Sequence, residues 1–370
     1  MSEIVAHCRN FSNFVKIFLT MKICHVLWQL EFGGIETMVV NIVNEQVALG
    51  NKVDIIIIND MIEPVLLEKI SANAGVHRLG RKQGSHSPFP IISLNVMLYR
   101  LHPDIVHFHA VDIQRFVWKR LIGVWCTTHH TMCVSVLHRF FPNNKHIFAI
   151  SEQVRDDIKS KLDIDSAVVN NGICASDFVR KQSIRRDSDT PFKLVQVGRI
   201  LLSVKGQDIL VRAVAALRAK DVDVTLDFIG DGPDMDELRR LIRDLSLDDC
   251  VNVLGSRMPE YIESHLCEYD MLVQPSRIEG FGLTVAEAMA AGIPVAVASL
   301  PALAGVVDGG KCGYIFKADD VEDCVRVLKQ ATNADNSDMV ERACRRVYEQ
   351  YDVSVTARNY VNEYSKLLKQ

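Results

Sequence analysis

The chain has no CxxC pair, no internal repeat, no low-complexity tract and no unbroken apolar run of the roughly 18–20 residues that a membrane-spanning helix needs. These absences exclude a zinc ribbon, a solenoid, a disordered chain and a membrane-spanning helical bundle. The most apolar early stretch, residues 11–30, is interrupted by Lys16, Lys22, His25 and Gln29 and has no small-residue cleavage site, so it is not expected to be a signal peptide. A large charge excess is missing too. The 42 Lys+Arg and 46 Asp+Glu leave a net charge of −4, which argues against bulk nucleic-acid binding. The ten cysteines are scattered and read as small buried apolar residues in a reducing, cytoplasmic setting. Apolar residues at 48% and charged residues at 24% are ordinary for a globular protein, and 370 residues suggest two domains.

What is present is uneven. Residues 1–183 hold 19 Lys+Arg against 16 Asp+Glu, the remainder 23 against 30, and eleven of the twelve histidines fall in the first part. Two halves of different chemistry suggest two domains with different ligands. Strand-like runs at 23–28, 53–58, 105–108, 124–128, 146–150 and 167–169 alternate with helical patterns such as 35–49. The run 53–58 is continuously apolar and β-branched, as expected of a parallel strand covered on both faces. The polar segment KQSIRRDSDTP (181–191) reads as a linker. The rhythm then restarts, with strands at 193–197, 224–229, 251–254, 271–274 and 295–298 and helices at 207–219, 235–245, 284–291 and 321–330. The fold class is therefore α/β, two doubly wound Rossmann-like domains facing each other across a cleft, with ligands at the carboxyl ends of their strands.

Five segments carry candidate chemistry. PSRIEGFGLTVAEAMAAGIP (275–294) holds Glu279 and Glu287 eight positions apart, with Gly280, Phe281 and Gly282 feeding a helix from Leu283. A glycine turn entering a helix presents free N–H groups to an anion, and a carboxylate can grip a vicinal diol. VGRILLSVKGQ (197–207) places Arg199 at a strand end and Lys205 before a helix, two cations able to clamp a diphosphate. Gly33-Gly34 after the first strand allows close backbone approach, or is only a tight turn. His107 and His109 end one strand, His129 and His130 the next. They read as a metal site, as sugar-binding groups or as satisfied structural histidines. Asn170-Asn171-Gly172 is a turn signal.

Together these segments resemble the retaining glycosyltransferases of family 4, which have the two-domain GT-B fold. The resemblance covers roughly residues 21–370 and rests on Glu-x7-Glu joined with GRI…K upstream. It implies that Glu279 and the Phe281-Gly282-Leu283 amides contact the donor sugar, Glu287 the ribose, and Arg199 and Lys205 the diphosphate. It places Gly33 and Gly34 beside that diphosphate, and His109 near the transferred sugar. The chain is thus read as an N-terminal extension of unclear role at 1–20, an acceptor-binding domain at 21–182, a linker at 183–191, a nucleotide-sugar domain at 192–350 and a helix at 351–370 expected to pack back on the first domain. The family's glutamate near Gly305 is absent, the chain reading A-G-V-V.

The implied reaction moves a hexose or N-acetylhexosamine from a nucleotide-diphosphate sugar to a glycan or lipid-linked acceptor, with retention, in surface polysaccharide or glycolipid synthesis. No metal or other cofactor is expected, and a UDP-sugar is favoured over a GDP-sugar. The alternatives are a catalytically silent nucleotide-sugar-binding or scaffold subunit, or a related GT-B epimerase. The basic and aromatic segments 115–125 and 137–146 suggest peripheral membrane contact by the first domain. The first of these is read as an amphipathic helix exposing Phe116, Trp118, Leu121 and Trp125, or as one packed on the sheet.

Overall fold

The structure, a computed structural model, describes residues 20–31, 33–132, 146–183 and 190–370. The expected N-terminal extension and the segment 137–146 fall almost wholly outside these residues, as does most of the expected linker.

The described chain builds two fully parallel sheets. The first has seven strands: β1 (Lys22–Leu27), β2 (Lys52–Asn59), β3 (Gly75–Arg81), β4 (Ile105–Phe108), β5 (Val124–His129), β6 (Ile147–Ala149) and β7 (Ala167–Val168). Their order is β3-β2-β1-β4-β5-β6-β7. The second has six: β8 (Phe192–Val197), β9 (Val224–Ile229), β10 (Val251–Gly255), β11 (Met271–Gln274), β12 (Val295–Ala298) and β13 (Tyr314–Phe316), in the order β10-β9-β8-β11-β12-β13. The order reverses between β1 and β4 in one sheet and between β8 and β11 in the other. A crevice opens at each reversal because successive helices leave toward opposite faces.

Six helices matter below: α1 (Gly34–Ala48), α2 (Phe89–Leu101), α3 (Glu152–Leu162), α4 (Gln207–Arg218), α5 (Leu283–Ala290) and α6 (Val353–Leu367). In β2 every residue after Lys52 is buried, as its apolar run predicts. The edge strand β3 is missed by that reading. Its sequence GVHRLGR alternates half-buried and exposed residues, so it carries no continuous apolar signal. The expected amphipathic helix over 115–125 is not formed. The segment instead makes two short 3₁₀ turns, Ile113–Phe116 and Lys119–Leu121, and then enters β5. Of its aromatic residues only Trp118 is well exposed, while Trp125 packs edge-on against the buried Phe108 ring.

The chain's end returns to the first lobe. A parallel bridge joins Ile173 to Asp352, with the Ile173 N–H donating to the Tyr351 carbonyl and the Val353 N–H to the Ile173 carbonyl. Gly172 of the expected Asn-Asn-Gly turn is required here because a Cβ would meet the Val353 Cα at 2.8 Å. α6 then runs along α1 and inserts Tyr360 and Tyr364, both fully buried, beside Met38, Ile42 and Phe148. The Tyr360 hydroxyl lies 2.9 Å from Thr128 Oγ1 and that of Tyr364 lies 2.6 Å from His107 Nδ1. Tyr360→Ala leaves a cavity and removes a buried hydrogen bond. We expect it to cost about 3–5 kcal/mol in urea unfolding, and a loss below about 1 kcal/mol would mean that α6 contributes no core.

Candidate active site

The candidate residues gather at the two reversals. After β1 come Gly33 and Gly34, the entry to α1, and after β4 comes His109. After β8 comes Arg199, and after β11 the segment Pro275–Gly282. The lobes face each other here. A Cβ on Gly34 would lie 3.3 Å from Leu283 Cδ1, and the Ser151 hydroxyl donates to the Gly280 carbonyl at 2.7 Å. Ser151 also caps α3, accepting from the Val154 N–H at 3.2 Å. The neighbouring Gln153 accepts at its side-chain Oε1 from the Ala302 N–H at 2.6 Å, so the start of α3 is pinned to the second lobe.

In the second lobe the two loops are locked together. Gly206 adopts a left-handed φ of 67°, and a Cβ there would sit 2.2 Å from the Pro275 carbonyl oxygen. That approach brings the Lys205 ammonium within 2.7 Å of Glu279 Oε2, which also accepts from the Ser276 hydroxyl at 3.3 Å. Both loops hang from buried glutamines: Gln196 donates to the Lys205 carbonyl at 2.9 Å and Gln207 to the Arg199 carbonyl at 3.0 Å. The exposed Arg199 guanidinium has no partner among the described residues. Gly282, with φ 103°, starts α5 with no side-chain cap, and Gly206 and Gly33 start α4 and α1 the same way. Helix N-termini without side-chain caps leave N–H groups at the positive end of a dipole, a site for an anion. The Phe281 ring turns inward against Tyr351, with centroids 5.3 Å apart, leaving only its backbone to the turn.

Glu287, on the second turn of α5, is mostly buried and has no hydrogen-bond or ion-pair partner among the described residues. Burial, reinforced by Glu263, pushes its carboxyl up to about 7. At the departure from the family pattern, the Gly305 carbonyl accepts from Arg346 at 2.9 Å, and the place of its missing Cβ is open space.

The histidines lie deeper than their positions suggest. His109 is buried with both ring nitrogens engaged: Nε2 lies 2.8 Å from His25 Nδ1, and Nδ1 lies 3.3 Å from His130 Nε2. His25 Nε2 in turn lies 2.8 Å from Gln46 Oε1. His107 bonds to the Tyr364 hydroxyl and, at 2.7 Å, to Thr128 Oγ1. His25, His107 and His109 lie close enough to share an ion, but every ring nitrogen in the group is already hydrogen-bonded. Burial lowers His25 to about 4 and His130 to about 3, and holds His107 and His109 well below the usual imidazole range. Asp163 and Asp165 both pair with Lys159 on an exposed helix end.

The sequence reading missed Ser151, Ser276, Gln196, Gln207 and His25. Gln196 and His25 left a trace, each being a polar residue flanked on both sides by apolar residues of its strand.

Residues 32–176 match the sequence model described as Glycosyltransferase Family 4, and residues 179–347 the one described as Glycosyl transferases group 1. The chain belongs to glycosyltransferase family 4. Among curated relatives, this family 4 chain is similar to a D-inositol 3-phosphate glycosyltransferase of Corynebacterium jeikeium, at 32% identity over 39% of the chain and 36% of that protein. It is also similar to N-acetyl-alpha-D-glucosaminyl L-malate synthase of Bacillus anthracis, at 25% identity over 64% of the chain and 58% of that protein. The chain thus spans about a third to three fifths of the length of these two relatives. Among solved structures, the crystal structure of a glycosyltransferase from Rickettsia africae gives a TM-score of 0.77 at 17% identity, covering 95% of this chain and 99% of that one. HepE of Anabaena in complex with UDP and glucose gives 0.76 at 18% identity, covering 93% and 99%. The family 4 chain has the GT-B fold.

The unpaired Glu287 carboxyl has a consequence for stability. It ionises near 4.5 when unfolded and near 7 when folded, so between these pH values only the native state holds the proton. Its contribution therefore falls as pH rises through that window and levels off above it. Glu287→Gln removes this dependence. In urea unfolding we expect it to match the wild type near pH 4.5 and to exceed it by up to about 3 kcal/mol at pH 8. Equal differences at the two pH values would place the carboxyl in an ordinary solvated environment.

Proposed function

We propose that this chain moves a hexose or N-acetylhexosamine from a nucleotide-diphosphate sugar to a glycan or lipid-linked acceptor, with retention of configuration. The observation that carries this reading is the meeting of Arg199, Lys205 and the uncapped start of α5 with the unpaired Glu287 at one reversal. A nucleoside diphosphate gains charge as the glycosidic bond breaks, and fixed positive groups stabilise that charge without reorganising. Arg199 and Lys205 take the diphosphate together with the Gly282-Leu283 amides. Glu279 holds Lys205 before the donor arrives and contacts the transferred sugar afterwards. Glu287 accepts from the ribose diol. Gly33 and Gly34, on the opposite lobe, let the α1 N-terminus approach the same phosphates. With the acceptor on the same face as the leaving group, the donor phosphate takes the acceptor's proton. The UDP seen with HepE supports a UDP-sugar here.

Incubation with a panel of nucleotide sugars and candidate acceptors tests the reading through diphosphate release. Lys205→Ala should lower kcat more than about 10-fold, since losing one such group commonly costs about 10²–10³-fold. Unchanged kinetics in both Lys205→Ala and Arg199→Ala would remove the diphosphate from this position.

We also propose that the first lobe rests on the cytoplasmic face of an anionic membrane. The surface differs from the one expected. Phe89, Ile92, Val96 and Tyr99 are 38–74% exposed and form one stripe along α2, at steps of three, four and three residues. The exposed Trp118 lies near this helix, its backbone N–H donating to Asn95 Oδ1 at 2.6 Å. Between residues 82 and 122 the chain carries Lys82, Arg100, Arg115, Lys119 and Arg120 against only Asp104 and Asp112. Those two acids already accept hydrogen bonds, from the Lys22 N–H and the Trp28 indole. Apolar residues in a segment of net positive charge suit an anionic lipid surface. The protein should float with phosphatidylglycerol vesicles at low salt, and Phe89→Ser with Tyr99→Ser should abolish this. Failure to float at low salt ends the proposal.

A further inference from the structure

We propose that Arg277 is a positioning residue for the transfer: its guanidinium ties the segment that carries Lys205 to the segment that carries Glu279, and so sets where the Lys205 charge meets the diphosphate. The inference rests on reading Lys205 as a diphosphate ligand.

Lys205 ends a single helical turn, Leu202–Lys205, too short to hold its own shape. Its backbone is held from outside. The Leu202 N–H donates to Asp234 Oδ2 at 2.8 Å, and the Leu202 carbonyl accepts from Arg277 Nη1 at 2.7 Å. The Val204 carbonyl accepts from the backbone N–H groups of Arg277 and Ile278 at 2.8 and 3.2 Å. Arg277 thus reaches this turn through both its backbone and its side chain. It also stands two residues before Glu279, whose carboxylate meets the Lys205 ammonium at 2.7 Å.

The guanidinium is itself fixed. Nη1 and Nη2 donate to the two carboxylate oxygens of Asp208 in α4, at 2.7 and 2.9 Å. Nε and Nη2 meet Asp319 Oδ1, in the loop after β13, at 3.0 and 2.8 Å. With the Leu202 carbonyl, these contacts engage all five N–H groups that an arginine offers. Two carboxylates on one guanidinium leave it no net positive charge to offer a ligand. A surface hollow of about 420 Å³ beside Arg277 is lined also by Leu202, Asp208 and Arg212, and by none of Arg199, Lys205 and Glu279. Arg277 therefore acts by geometry, from behind the turn. A lysine in its place keeps the charge but not the planar fork. A displacement of about 1 Å in a group that meets the reacting phosphates is enough to cost about 10²-fold in rate.

The test is titration calorimetry of the full-length protein with UDP and with GDP, in the wild type, Arg277→Lys, Lys205→Ala and the double variant. With the nucleotide that the wild type binds more tightly, Lys205→Ala should weaken binding about 10-fold and Arg277→Lys about fivefold. The double variant should stay within about twofold of Lys205→Ala, because residues of one network couple instead of adding. Asp208→Asn breaks the same fork from its acceptor side and should repeat the pattern of Arg277→Lys. In the free protein, the Val204, Lys205 and Gly206 amides, which close this turn onto the Leu201 and Leu202 carbonyls, should exchange about 10-fold faster in Arg277→Lys, with β11 unchanged. Unchanged exchange at these amides overturns the proposal, as does wild-type affinity in both Arg277→Lys and Asp208→Asn. Losses that multiply in the double variant overturn it alone and leave the diphosphate reading standing. Wild-type affinity in Lys205→Ala, or no binding of either nucleotide, removes the diphosphate reading and the proposal with it.

Discussion

The donor lobe depends on one close approach: Gly206 against the Pro275 carbonyl, where no side chain could stand. Two loops leaving adjacent strands at a reversal normally diverge, because their helices run to opposite faces of the sheet. Here the contact holds them together, and the Lys205–Glu279 pair forms across it at 2.7 Å. The buried glutamines Gln196 and Gln207 stiffen the arrangement from beneath by holding the carbonyls of Lys205 and Arg199. A cation, a carboxylate and a helix N-terminus are thus fixed relative to one another before any ligand arrives. Such preorganisation is what stabilisation of a developing charge requires.

The cleft is also where the molecule leaves interactions unmade. Among the described residues the mostly buried Glu287 carboxyl, the Arg199 guanidinium and His130 Nδ1 have no partner. Elsewhere the same chain closes surface charges into pairs such as Arg218 with Asp223 and Asp249. A group that costs stability and gathers with others of its kind marks a binding site more securely than any single motif.

The two lobes are joined by more than the connecting segment. Ser151 and Gln153 at the start of α3 bond to Gly280 and Ala302, and Lys69 pairs with Glu260 across the opening at 2.5 Å. On the far side, α6 returns from the second lobe and fills the first lobe's core with Tyr360 and Tyr364. That return reaches the histidines directly, because Tyr364 meets His107 and Tyr360 meets Thr128, its hydrogen-bond partner. The tail of the chain therefore helps to set the polar interior behind the cleft.

Local sequence determined the strands whose residues are apolar without interruption, the helices with clear periodicity, and the glycine turn flanked by Glu279 and Glu287. Each of these signals lies within a dozen residues, so neighbours along the chain carry it. The edge strand β3, the short β13 and the turns at 113–121 were not legible, because an edge is half solvated and an aromatic-rich stretch can be packed without being helical. The tertiary structure alone decided that His109 is enclosed while His130 ends the imidazole chain, that the apolar stripe lies on α2, and that Ser151 reaches Gly280. His25 and His109 are 84 positions apart and Ser151 and Gly280 are 129 apart. Contacts at such separations are settled by the fold, and no short pattern of residue types encodes them.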